Sequence, residues 1–226
     1  MKLTNVRRRL ALLVTMLVTT MLLVLVPPAQ ADEPVDVETA GAINITTAYW
    51  ERAMPNLFNR AFHQPALGNW GYGRNSLYDG RTQDIRCNGH RLKVNNAYAC
   101  VDANDNWVAF DVTFMNRSQN LGDAFIYVIV AHEYGHVVQA HLHPSDIWRA
   151  MELQADCFAG SAMRAMVNSG TLTLDAGDYY EIDDAFRSIA GLPWGAGGTH
   201  GSWEQRTSAF RRGWTGQNSL ACLPDR

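Results

Sequence analysis

Apolar and polar residues change period several times along this chain. Over residues 44–60, Trp50, Met54, Leu57 and Phe58, with Phe62 just beyond, recur at helical spacing, and Pro55 marks a break. Residues 64–80, QPALGNWGYGRNSLYDG, mix glycine, asparagine and aromatics; they predict a loop whose rings pack over the edge of a core. Between 85 and 114 the pattern predicts short strands, with turn clusters at Asn95-Asn96 and 102–106. The clearest is 107–115, where Val108, Phe110, Val112 and Phe114 alternate with Trp107, Ala109, Asp111 and Thr113. Helices are predicted over 121–141, over 145–169 (capped by Ser145 or Asp146 and ended by Gly170), over 174–189 and over 203–214. A glycine-rich loop is expected at 191–201. Together these elements predict an α+β fold, mainly helical, with a small antiparallel sheet against which the helix at 121–141 should lie.

That helix is argued from chemistry as much as from pattern. FIYVIVAHEYGHVVQAHLH, residues 125–143, begins with the β-branched and aromatic residues of a strand but carries His132, Glu133 and His136 as H-E-x-x-H. In a helix, residues four apart share a face and lie about 6 Å apart along the axis, so both imidazoles can reach one ion. In a strand the same residues lie about 13 Å apart, too far for one ion. Helical geometry also sets Glu133 beside the metal, where it can take a proton from water. The composition then implies a helix buried on most sides.

The motif needs a third ligand. The extended H-E-x-x-H-x-x-G-x-x-H pattern would place glycine and histidine where Gln139 and Leu142 stand, so His141 and His143 miss and read as helix-end residues. MELQADCFAG, residues 151–160, fits better. Glu152 and Asp156 are four apart among apolar or small neighbours, a poor solvated face. Glu152 completes a His-His-Glu site with one position open, and Asp156 can accept a hydrogen bond from the far nitrogen of a ligand histidine.

Charge and cysteines narrow the class. Residues 1–31 combine a basic start, an apolar run and an A-x-A site, the pattern of a secretory signal peptide cleaved after Ala31; the alternative is an uncleaved membrane anchor with the domain facing outside. Residues 32–44 are expected to be a flexible lead-in, and 45–226 a single domain. Of 19 basic residues, removing Lys2, Arg7, Arg8 and Arg9 leaves 15 against 22 acidic ones, a balance that excludes a nucleic-acid binder; no later segment is apolar enough to span a membrane. Cys87, Cys100, Cys157 and Cys222 make an even count in an exported chain. Of three possible pairings, Cys87–Cys100 with Cys157–Cys222 is favoured.

Three blocks, GDAFIYVIVAHEYGHVVQ, ELQADCFAG and GTHGSWEQRTSAFRRGW, resemble in order and spacing the neutral zinc metallopeptidases of bacteria, of the gluzincin type. The resemblance is tight over 122–214, looser over 87–114 and weak before Arg81. Val137 departs from it, at a position that is not a ligand. It implies a zincin-like domain holding Zn2+ on His132, His136 and Glu152, with Glu133 as base. It also implies, through the Thr199-His200 pair followed by Arg206, that His200 donates to the developing oxyanion. Arg206 is assigned no role. The expected activity is hydrolysis of peptide or protein substrates outside the cell. The rival is a catalytically inactive, zinc-stabilised secreted binding module. A third possibility, amidase action on cell-wall peptides, fits the same residues.

Overall fold

The computed structural model describes residues 34–102, 105–193, 195 and 200–224. The expected signal peptide at 1–31 and Thr199 of the Thr-His pair lie outside them.

The first helix, α1 (Val35–Ala53), begins well before the expected start at 44, so 35–44 is helix and not a flexible lead-in. Its buried stripe is Thr39, Ala42, Ile43, Thr46, Thr47 and Trp50, helical spacing built largely of threonine and alanine. At Pro55 the helix gives way to one π-helical turn, Met54–Phe58, ended by Asn59 in the left-handed region.

Among the described residues six short strands follow: β1 (Ala66–Leu67), β2 (Leu77–Tyr78), β3 (Arg86–Cys87), β4 (His90–Arg91), β5 (Ala97–Val101) and β6 (Asn106–Asp111). The longest ladder is antiparallel, β5 on β6 from Ala97↔Phe110 to Val101↔Asn106. The two-residue β1 and β2 join β6 in parallel, while β3 and β4 form a separate ribbon. Val108 and Phe110 point into the main core, and Ala109 and Trp107 pack with Tyr78 and Trp70 on the other face. The Cys87–Cys100 disulfide ties the ribbon to β5.

β6 stops at Asp111, short of the expected Met115, and α2 (Val112–Gln119) starts there. Asp111 is fully buried and accepts from the Phe114, Gly80 and Asn95 N–H groups, each at 3.0 Å. Its N-cap ends the strand although the alternation of the sequence runs on.

The remaining helices are α3 (Asp123–His141), α4 (Met151–Ser169), α5 (Asp178–Ile189) and α6 (Trp203–Thr215). α3 is buried on nearly every side from Ala124 to Gln139 and shares its core with Val108 and Phe110 of the sheet. α4 begins at Met151, six residues after the expected start at 145. Pro144–Asp146 is a single 3-10 turn, and Gln154 holds the extended stretch that follows by donating to the Asp146 carbonyl and accepting from Trp148 N–H. α6 opens on a capping box between Ser202 and Gln205. The described residues form one compact unit, and Cys157–Cys222 ties its last turn to α4. Two disulfides fit an extracellular protein, and no described helix is long and apolar enough to cross a membrane.

Candidate metal centre

α3 and α4 cross at a glycine. A Cβ on Gly135 would lie 2.8 Å from both Cα and the carbonyl oxygen of Ala155, so the two backbones are nearly in contact. Three residues before the crossing stand His132 on α3 and Glu152 on α4; one residue after it stand His136 and Asp156. Helical periodicity therefore turns all four side chains toward the shared seam.

His132 Nε2 lies 3.4 Å from Glu152 Oε2, and His136 Nε2 lies 3.5 Å from Glu152 Oε1. Ligands about 2.0–2.1 Å from a tetrahedral ion stand about 3.4 Å from one another, so one ion fits between these three side chains with little movement. The far nitrogens are already engaged. His132 Nδ1–H donates to Asp156 Oδ1 at 2.8 Å, and His136 Nδ1–H donates to Gln139 Oε1 at 2.8 Å. The Gln139 orientation is fixed in turn, because its Nε2 donates to the Met151 carbonyl and to Gln154 Oε1. Both rings therefore leave Nε2 facing the position that an ion could take.

Asp156 is fully buried, and its second partner is Arg206 of α6, itself only 3% exposed. Arg206 donates from Nε to Oδ2 at 2.9 Å and from Nη2 to Oδ1 at 2.8 Å, a two-point clamp, and its Nη1 caps the Ile189 carbonyl at the end of α5. Asp156 thus takes the expected position against His132, and Arg206, assigned no role by the sequence, pairs with it.

Glu133 is 8% exposed and opens onto a cavity of about 450 Å³ together with His132, His136, Glu152 and His200. Among the described residues its carboxylate has no hydrogen-bond or ion-pair partner. Burial raises its pKa above the ordinary carboxylate value, against the opposing pull of His132 and His136. Burial would also raise Glu152, but hydrogen bonds to the same two histidines hold it far below the usual range. His132 would be lowered by burial; Asp156 and Glu152 override this and raise it to about 10.

His200 reaches the rim, 60% exposed, with Nδ1 3.2 Å from Glu152 Oε2. His141 stays at the end of α3, donating from Nδ1 to the Val137 carbonyl and accepting from His63 N–H. A second cluster, Asp123, Asp178 and Glu181, also brings ligand-capable oxygens together, but Glu181 accepts from Ala124 N–H and Asp178 from Asp175 N–H.

Sequence reasoning missed Gly135, Gln139 and Arg206 as parts of this site. Gln139 carried a signal, since it lies one turn after His136 on the same helix. Arg206 carried only its place after the His200 block. Comparisons with protein-family models, with curated proteins and with solved structures return no match.

Proposed function

We propose that the chain is a secreted zinc metallopeptidase of the neutral, gluzincin type with a zincin-like fold, hydrolysing peptide bonds with Glu133 as general base. The observation that carries the reading is Glu133 itself: a buried carboxylate with no hydrogen-bond or ion-pair partner among the described residues, next to two imidazoles and a carboxylate spaced for one ion. A purely structural metal site has no use for such a group, and burying a carboxylate without a protein hydrogen bond costs stability. Two nitrogens and one oxygen at tetrahedral spacing suit zinc, leaving room for one more ligand. Bound there, zinc would act as a Lewis acid toward a carbonyl oxygen and would acidify water.

The chain's own groups then divide the work. Glu133 takes a proton from the attacking water on a carboxylate oxygen and delivers it to the leaving nitrogen. Asp156, held by Arg206, and Gln139, held by Gln154, keep the two imidazoles in the ligand tautomer. His200 on the rim is the candidate donor to the oxyanion once substrate displaces it from Glu152. Residues 97–99 of β5 line the same cavity, and the outer edge of that strand pairs with no other strand among the described residues. Such an edge suits an extended peptide running through the site, which favours peptide over other amide substrates.

Glu133→Gln tests the reading. The variant should keep one zinc per chain by elemental analysis and lose hydrolysis of a peptide library by at least about 10²-fold. Wild-type turnover by the Gln variant would overturn it.

A further inference from the structure

Among the described residues, the cavity holds one cation that the mechanism does not use. Phe114 and Arg117 stand one turn apart on α2, and Ile129 stands one turn before His132 and Glu133 on α3; all three line the cavity. Phe114 and Ile129 are buried and form an apolar wall, while Arg117 is exposed, its guanidinium 5.5 Å from the centre of the Phe114 ring. That contact holds the charge over the ring as well as giving it a weak attraction.

The charges around it are otherwise matched. Arg206 is clamped on Asp156, and Glu152 is paired with the histidines. With a divalent ion in place, Glu152 and Glu133 together balance it. No carboxylate among the described residues lies within ion-pair distance of Arg117, so its charge is the excess of the loaded cavity, in a chain that is acidic as a whole. A guanidinium beside an apolar wall selects a carboxylate, which it can grip at two points.

We propose that Arg117, with Phe114 and Ile129, forms a carboxylate-binding subsite, so that the preferred substrate carries an acidic side chain or a free terminal carboxylate near the scissile bond. This rests on the peptidase reading above, and its test separates the two. Matched peptides differing only as Glu or Gln at positions flanking the cleaved bond, each with a free or amidated C-terminus, are compared by kcat/KM.

Wild type should favour one carboxylate-bearing set by about 10- to 100-fold. Preference for Glu whatever the terminus identifies a side-chain subsite; loss on amidation alone identifies terminal capture. Arg117→Glu should abolish or reverse the ratio while melting at the wild-type temperature, and Arg117→Lys should retain part of it. The Glu133→Gln protein, titrated with the favoured peptide by calorimetry, should bind it at least about tenfold more weakly when Arg117→Glu is added.

Hydrolysis with equal rates on all four peptides, or a preference unmoved by Arg117→Glu, sinks the subsite and leaves the peptidase standing. Arg117-dependent binding of the acidic peptide without any hydrolysis sinks the peptidase and leaves the subsite. Neither binding nor hydrolysis sinks both.

Discussion

Replacing Asp156 by alanine removes a fully buried carboxylate that takes three short contacts, one from His132 and two from Arg206. The His132 contact governs the metal: losing a partner of this kind weakens metal affinity about 10- to 100-fold. The Arg206 contacts govern the fold. An unpaired guanidinium at 3% exposure is the worse half of a broken buried pair, which costs about 3–5 kcal/mol. For a domain of this size that is a fall in melting temperature of roughly 6–20 °C. Adding Arg206→Met removes the stranded charge, and apolar replacement of a whole buried pair is often close to neutral.

The double variant should therefore melt well above Asp156→Ala while its zinc affinity stays low. Thermal unfolding in chelator reads the first quantity, and competition with a chromophoric chelator reads the second. If Asp156→Ala melts within about 2 °C of wild type, the destabilisation argued from the buried pair is wrong. If its zinc affinity is unchanged, Asp156 does not orient His132.

Proton and metal compete for His132 Nε2. Because the folded-state pKa is raised to about 10 in the metal-free protein, the imidazolium stabilises the fold fully below about pH 6.5, and that contribution is lost as pH rises through 10. At pH 8 zinc should displace about one proton from this ring, seen as buffer-dependent calorimetric enthalpy, and release of none would contradict the assignment. Gly135→Ala, a stabilising change on an ordinary helix face, should here cost about 1–3 kcal/mol and loosen zinc binding, because the new Cβ meets the Ala155 backbone at 2.8 Å. Equilibrium urea unfolding and the chelator titration check both effects; a variant as stable as wild type would show that the crossing can relax. Removing Cys157–Cys222, with its separation of 65 residues, should destabilise by up to about 4 kcal/mol, and removing Cys87–Cys100, with 13, by up to about 3. A reversed order in denaturant midpoint would show that loop entropy does not control either bridge.

The parts of the site legible in the sequence were those joined by helical spacing. His132 and His136 share one turn of α3, and Glu152 and Asp156 share one turn of α4, so each pair announced a common face before any contact was known. What spacing cannot carry is the pairing between helices. Arg206 meets Asp156 from fifty residues away, and a single arginine in a charged helix looks like solvated surface until its partner is buried with it.

Element boundaries failed for local reasons. The stripe of α1 was hidden because threonine does the work of a core residue there. The alternation of the sequence runs past the end of β6 because Asp111 fits a strand position as well as it fits a cap. The start of α4 lies later than Ser145 and Asp146 imply because nothing local reveals that the Gln154 side chain keeps 146–148 extended.

These contacts make α4 the member on which the site depends. Glu152, Ala155, Asp156 and Cys157 stand within six residues and supply in turn the candidate ligand, the crossing point, the carboxylate that holds His132 and the anchor of the C-terminal turn. Gln154, between them, props Gln139 and donates to the Cys222 carbonyl, so the support of His136 and the last disulfide share one side chain. On the opposite face, a Cβ on Gly213 would lie 1.8 Å from the Cys157 carbonyl oxygen and one on Gly160 2.1 Å from that of Phe210. Only glycine lets α6 come this close. Arg206 stands two turns before Gly213 on the same helix, so this contact sets the distance at which the guanidinium reaches Asp156. A side chain at Gly213 would therefore act on the candidate metal site through three steps, displacing α6, withdrawing Arg206 and freeing Asp156 from its clamp, without touching a candidate ligand.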